Sequence, residues 1–329
     1  MILRFHNLAA LATAALAATL AATLAAAPAA AQTWPNRPLR IIVPYPPGGS
    51  SDIIARELSE PLAQALKVSV VVENKPGANG TTGADLVAKT ADEGHTFLLA
   101  DLGSLAISPS VFAKLPFDPS KDLRGVTMLA YSPHLLVVHP SVPANNLKEL
   151  VALSKTAKLN FAISGIGGAN HLAGGAVQQA TGAVWEYIPY KGGSQALGDM
   201  IAGQSQVMMN GMLATLPHVQ SGKLKLLGVS RASRVPLLPD APTIAEMGVA
   251  GFESGSWQGV MLPANVSTAI VNRLASELTR IIRSPEVRAR LTAQGAEVYT
   301  MTPAETGVFF ERERKNWAAV VAKGGVLAE

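Results

Sequence analysis

The residues of this chain whose types and spacing could do chemistry lie in three glycine-rich turns. They are Pro44-Tyr45-Pro46-Pro47-Gly48-Gly49-Ser50-Ser51-Asp52, Ser164-Gly165-Ile166-Gly167-Gly168-Ala169-Asn170-His171 and Tyr190-Lys191-Gly192-Gly193-Ser194. Each follows a strand-like run and precedes a helical pattern, so each sets the first turn of a helix after a strand. The N–H groups of such a turn lack intrahelical partners, and glycine lets a ligand approach the main chain closely. The helix dipole adds about half a positive charge at the same end. The chemistry offered is capture of an anion, and an array of N–H donors matches carboxylate oxygens.

The first turn contributes the candidates Tyr45, Pro47, Gly48, Gly49 and Ser50, the second Ser164, Gly165, Gly168, Asn170 and His171, the third Tyr190, Lys191 and Gly192. Ser104 and Asn210 complete the set. His171 can donate to an anion or cap its own helix. Lys191 can neutralise a carboxylate or pair with a nearby acid. Asp52 reads as a first-turn acid that stabilises its helix, because a free carboxylate would repel an anion.

Competing motifs fail on their own terms. Gly165-Ile166-Gly167 begins a dinucleotide fingerprint, but Asn170 replaces the last glycine and no acid follows about 20 residues on. Gly192-Gly193-Ser194-Gln195-Ala196 misses the serine-hydrolase elbow by its final residue. An exported hydrolase using Ser194 or Ser50 would need a histidine and an acid converging on the serine. His95, His134, His139, His171 and His218 form no i, i+4 pair for a metal, and four of them read as structural or surface residues. No cofactor is expected. A module that senses a ligand for a signalling partner would keep the same turns.

The elements that must position these turns alternate. Strands are expected at Leu39–Val43, Val68–Val72 and Thr96–Ala100, with helices from Ser51 and around Ala84–Thr90. The pattern restarts at Leu135–Val138, then Phe161–Ser164, Glu186–Pro189, Val207–Met209 and Leu226–Ser230, with helices at Leu147–Thr156 and opening near Asn170, Ser194 and Leu213. This is the signature of βαβ units and a largely parallel sheet. The last seventy or so residues read as helical: Ile270–Arg283, a helix opened by Ser284-Pro285, and one opened by the capping box Thr302-Pro303-Ala304-Glu305. Phe309, Phe310, Trp317 and Val320 are its expected buried stripe.

Composition sets the boundaries. The 329 residues contain no cysteine, which excludes disulfides, thiolate sites and a lipid-modified cysteine. Twenty-seven basic against 23 acidic residues, with aromatics at 5%, give no nucleic-acid face. The small positive excess could steer an anion. Arg4, an Ala/Leu/Thr run over Leu8–Ala27 and Ala29-Ala30-Ala31 form an export signal, with cleavage expected after Ala31. A retained anchor is disfavoured because the run is weakly hydrophobic and no Lys/Arg cluster follows.

Read together, these residues resemble the Bug or TctC-like family, the substrate-binding components of tripartite tricarboxylate transporters. The likeness runs through Trp34-Pro35, Ile41-Ile42-Val43-Pro44-Tyr45, Gly48-Gly49-Ser50-Ser51-Asp52, Glu73-Asn74-Lys75-Pro76-Gly77-Ala78-Asn79-Gly80 and Ile188-Pro189-Tyr190-Lys191-Gly192-Gly193. It continues through Pro217-His218, Gly222-Lys223, Leu238-Pro239-Asp240-Ala241-Pro242-Thr243 and Gly295-Ala296-Glu297. The resemblance implies an α/β fold of the two-lobe periplasmic-binding-protein type (Venus flytrap, type II), with two interlobe crossovers and a C-terminal helical return to lobe one. Lobe one is expected over 34–131 plus 257–329, and lobe two over 132–256. It also implies a small organic carboxylate as ligand, main-chain donors of the first turn facing the second and third, and integral-membrane transporter subunits as partners of a monomer. Where the family has an acid after its Gly-Gln-Val-type turn, this chain reads Gly203-Gln204-Ser205-Gln206. The Met-rich Val207–Met212 stretch that follows suits a pocket wall or core filling equally.

Overall fold

The computed structural model describes residues 34–101 and 103–324, so the expected export signal lies outside the described residues. In chain order the first elements are β1 (Leu39–Val43), α1 (Ser50–Leu66), β2 (Val70–Asn74), α2 (Thr81–Ala88), β3 (Thr96–Asp101), a π turn over Gly103–Ile107 and α3 (Ser108–Val111). Then come β4 (Leu123–Val138), α4 (Leu147–Ser154), β5 (Asn160–Ile163), α5 (Ala169–Thr181), β6 (Glu186–Pro189), α6 (Gly193–Ile201), β7 (Val207–Gly211), α7 (Met212–Gln220) and β8 (Lys225–Val229). The chain closes with β9 (Gly255–Pro263), α8 (Thr268–Ile282), α9 (Pro285–Ala293), β10 (Glu297–Val298) and α10 (Pro303–Gly324).

Two βαβ units carry parallel strands, as the alternation demands: β1 lies between β2 and β3, and β5 between β6 and β7. The expectation of a largely parallel sheet needs correction, because four further strands run antiparallel. β4 pairs with β9 from Leu123 to Pro133, then with β7 from His134 to Val138, and β8 and β10 add to it. β4 therefore passes through both strand groups, and β9 returns the chain to the first. Sequence reading anticipates the Leu135–Val138 end of β4 and none of β9. Pro133 has no N–H to give a ladder, and it sits where β4 exchanges partners, from β9 to β7.

Local signals explain most boundaries. α1 ends at Lys67 in the left-handed region (φ 57°), which delays β2 to Val70 and carries it on to Asn74. Ser267 caps α8 through the Ile270 N–H, and Val271, Leu274, Leu278 and Ile281 recur at helical spacing on its buried side. The capping box of α10 forms as read, with Thr302 N–H donating to Glu305 Oε2 (2.8 Å) and Glu305 N–H to Thr302 Oγ1 (3.2 Å). Its buried stripe is Phe309, Phe310 and Val321. Val320, expected there, is 45% exposed, because the helical repeat from Phe310 brings Val321 inward instead. α10 packs on β4 and the π turn and so braces the first strand group.

The second strand group, β5 to β8 with the end of β4, is covered on both faces, and strand periodicity sorts its residues between them. Leu136, Val138 and Met209 face a core with Phe161 and Trp185. Leu135, Val137 and Met208 face another with Leu197 and Met212. Met208, Met209 and Met212 thus take the core-filling alternative.

Candidate functional site

Loops at the carboxyl ends of β1, β3, β5 and β6 meet around a cavity of about 50 Å³. A single water needs about 10–15 Å³ on this measure, so the space suits a few ligand atoms held closely. Three helix N-termini face it: Gly49, Ser50 and Ser51 of α1, Ala169 and Asn170 of α5, and Gly193 of α6. Their N-cap residues Gly49, Gly168 and Gly192 make no side-chain cap. Three helix N-termini, whose first-turn N–H groups lack intrahelical partners and which carry positive dipole ends, therefore border one cavity.

Each N-terminus is held by its own loop. Gly48 adopts φ +83°, which glycine accepts without strain, and its N–H donates to Asp52 Oδ2 (2.9 Å). Asp52 also accepts from Arg56 Nε (2.9 Å) and Asn74 Nδ2 (2.9 Å), so its charge is turned away from the cavity and neutralised. Burial acts to raise the Asp52 carboxyl, but Arg56, Gly48 N–H and Asn74 outweigh it and hold the carboxyl below the usual range. The expected helix acid is also the clamp of the first turn. In the second turn Ser164 Oγ donates to Asn170 Oδ1 (2.9 Å). Asn170 is 3% exposed, and its Nδ2 donor has no partner among the described residues. Asn210 Nδ2 donates to Thr215 Oγ1 (3.0 Å), which fixes the amide at the cavity edge.

The remaining wall is polar and, Tyr45 apart, was not foreseen. Tyr45 OH donates to Asp101 Oδ1 (2.6 Å), which also accepts Gly103 N–H (2.8 Å). Asn79 Nδ2 donates to Ser108 Oγ (3.1 Å). His134 contacts Ser254 Oγ through Nδ1 (3.1 Å) and Ser256 Oγ through Nε2 (3.2 Å). Burial pushes its pKa down to about 4, so the ring is neutral near neutral pH. Gln258 is 1% exposed, and neither Nε2 nor Oε1 has a partner among the described residues.

Of the fifteen candidates, Tyr45, Gly49, Ser50, Ser164, Asn170 and Asn210 line the cavity. The others stand behind or outside it. Gly192 packs on Pro46: a Cβ added there would lie 2.4 Å from Pro46 Cδ. Gly165 and Gly168 pack on Asn79, each leaving 3.2 Å from an added Cβ to its Oδ1. These glycines let loops of the two strand groups approach. His171 takes the capping alternative: Nδ1 accepts Gly167 N–H (3.0 Å), and the ring meets Tyr187 edge-on at 4.5 Å. Burial lowers its pKa, which disfavours a cationic role at an anion site. Tyr190 turns to Asp199 (2.8 Å) and Ser205 (3.2 Å), Ser104 is buried with its hydroxyl on Asp101 O (3.4 Å), and Gly48 serves the clamp. Lys191 and Pro47 are exposed and absent from the lining, since the chain at both positions faces solvent.

Ser51, Ala169 and Gly193 line the cavity from within the three turns without having been singled out, and Asn79, Asp101, Gly103, His134, Ser256 and Gln258 are the lining residues outside those turns that sequence reasoning missed. Asn79 stood within a quoted motif, and Asp101 and Gly103 end a strand where ligand-binding loops begin. Ser256 and Gln258 lie on a strand with no periodic signal.

Paired βαβ units, two strands crossing between them and a cleft floored by helix N-termini define a two-lobe solute-binding protein. Residues 54–326 match the family described as the tripartite tricarboxylate transporter family receptor, and the chain belongs to that family. It is similar to protein BugT of Bordetella pertussis, 36% identical over 90% of this chain and 91% of that protein. Among solved structures it resembles the periplasmic binding protein BugD, with TM-score 0.86 and 33% identity over 90% of this chain and all of that one. It equally resembles R. palustris Rpa4515 with adipate, at TM-score 0.86 and 30% identity over 89% of this chain and 99% of that one. The family is periplasmic and consists of binding proteins rather than enzymes. No helix among the described residues is long and apolar enough to cross a membrane.

Proposed function

We propose that this chain captures a small organic carboxylate in the periplasm and presents it to the membrane subunits of a tripartite tricarboxylate-type transporter. The observation that carries the reading is the convergence of three uncapped helix N-termini on one cavity whose lining holds no Lys or Arg among the described residues. Such a site recognises a carboxylate by main-chain donors, joined by the free Nδ2 of Asn170. The adipate held by a relative of the same fold supports this ligand class.

The lobes are 34–131 plus 257–329, and 132–256. The partner exchange of β4 between Pro133 and His134 supports that division, as does the start of β9 at Gly255. Segment 1–31 directs export and is removed, and with no cysteine the mature chain carries no lipid-modified cysteine; like the monomer that the family resemblance implies, it works as a single copy. A thermal-shift screen over mono- and dicarboxylates tests the reading, because a ligand bound by the native state raises the melting temperature. A panel with no shift at millimolar concentration would refute it.

A further inference from the structure

The cavity has a second chemical half. Asp101 ends β3 and faces Gln258 directly across the antiparallel β3–β9 ladder. Residues so paired carry their side chains on the same face, with Cβ atoms about 5 Å apart. Both line the cavity. Asp101 Oδ1 receives Tyr45 OH and Gly103 N–H, two donors on one oxygen, which marks it as an acceptor. Burial raises the carboxyl while these donors oppose the rise. Gln258 is 1% exposed and leaves both a donor and an acceptor without a partner among the described residues. A buried amide with both ends unpaired is costly and calls for a partner offering both roles.

We infer that Asp101 and Gln258 form a donor-recognising subsite, which selects acids bearing a hydroxyl or ammonium group over unsubstituted dicarboxylate dianions. This rests on the carboxylate-receptor reading above and narrows its ligand class. A hydroxyl donates to Asp101 and accepts from Gln258 Nε2. An ammonium donates to Asp101 and to Gln258 Oε1. A second ligand carboxylate brings acceptors alone and a like charge, and the lining holds no Lys or Arg among the described residues to offset it. His134 supplies no positive charge either, since its burial between Ser254 and Ser256 holds its pKa down to about 4.

The test is calorimetric titration of the full mature protein with two matched series. One contains butyrate, its hydroxy and amino derivatives at either end, and succinate; the other is built likewise on hexanoate, with adipate as the dianion. The best hydroxy or amino acid is expected to bind about tenfold or more tightly than both the parent monoacid and the dianion of its length, as for hydrogen bonds to a charged group. Asp101→Asn keeps the acceptor for Tyr45 and Gly103 and replaces the other oxygen by a donor. It should lose that preference and bind the dianion more tightly than wild type does. Gln258→Leu should lower affinity for the hydroxy acid more than for the parent acid. A dianion bound as tightly as its hydroxy and amino counterparts overturns the inference and leaves the carboxylate receptor standing. An unchanged ranking in a folded Asp101→Asn protein overturns it too. Failure of every acid in both series overturns the receptor reading and this inference together.

Discussion

One methyl group at Gly192 should hold the two lobes apart without removing any ligand contact. A Cβ built there lies 2.4 Å from Pro46 Cδ and 3.2 Å from Pro46 Cγ, where carbon atoms rest at about 3.5–4.0 Å. The backbone at Gly192 is extended (φ 170°, ψ 167°), so alanine adopts it freely and the clash is the whole effect. Neither side yields easily, since one is a proline ring and the other is the N-cap of α6. Overpacking of this kind costs about 1–3 kcal/mol, which falls on the closed form and raises Kd by about 5- to 150-fold. Calorimetry with a ligand from the screen reads the affinity, and thermal denaturation of the free protein reads the fold. Gly198→Ala is the control, because it sits inside α6 and, its own helix backbone apart, no atom of the described residues lies within 4 Å of its added Cβ. It should leave Kd unchanged and stabilise by about 0.5–1 kcal/mol. A folded Gly192→Ala protein with wild-type Kd would refute the reasoning, for it would mean the bound form does not bring Pro46 onto this loop.

The buried His134 should impose an acid limit on stability. Its pKa is lowered from 6.5 to about 4, so the unfolded chain takes up a proton first as pH falls. Stability is full above 6.5 and declines to about 4, losing about 3 kcal/mol in all, and His134→Gln should flatten that slope in urea titrations. Asp52 carries a lowered carboxyl pKa, so its contribution is present above the ordinary carboxyl range and fades as pH falls through the folded value. Asp52→Ala should cost about 1–3 kcal/mol at neutral pH by leaving Gly48 N–H, Asn74 and Arg56 unmatched, with a smaller cost near pH 3. Lys191→Met should leave affinity within about threefold and the salt dependence nearly unchanged, because recognition by dipoles and N–H groups carries little net charge. A steep loss of salt dependence would bring Lys191 into the site.

What the sequence by itself determined was whatever depends on near neighbours along the chain. Alternating β-branched runs and helical spacing specified both βαβ units. Glycine-rich turns at strand ends specified three helix N-termini with free donors, and Thr302 with Glu305 specified the start of α10. These are local properties of backbone geometry and side-chain period, readable over a few residues. Tertiary structure decided which residues share the cavity. Asp101 meets Gln258 only because β9 returns beside β3, 157 positions along the chain. Pro133 becomes part of a strand only because β4 changes partners there. The turns leave Lys191 and His171 open to a ligand contact or another role, and the fold exposes the first and sets the second against the Gly167 N–H of its own turn. Long-range pairing sets such outcomes through burial and register, and neither is written in local sequence.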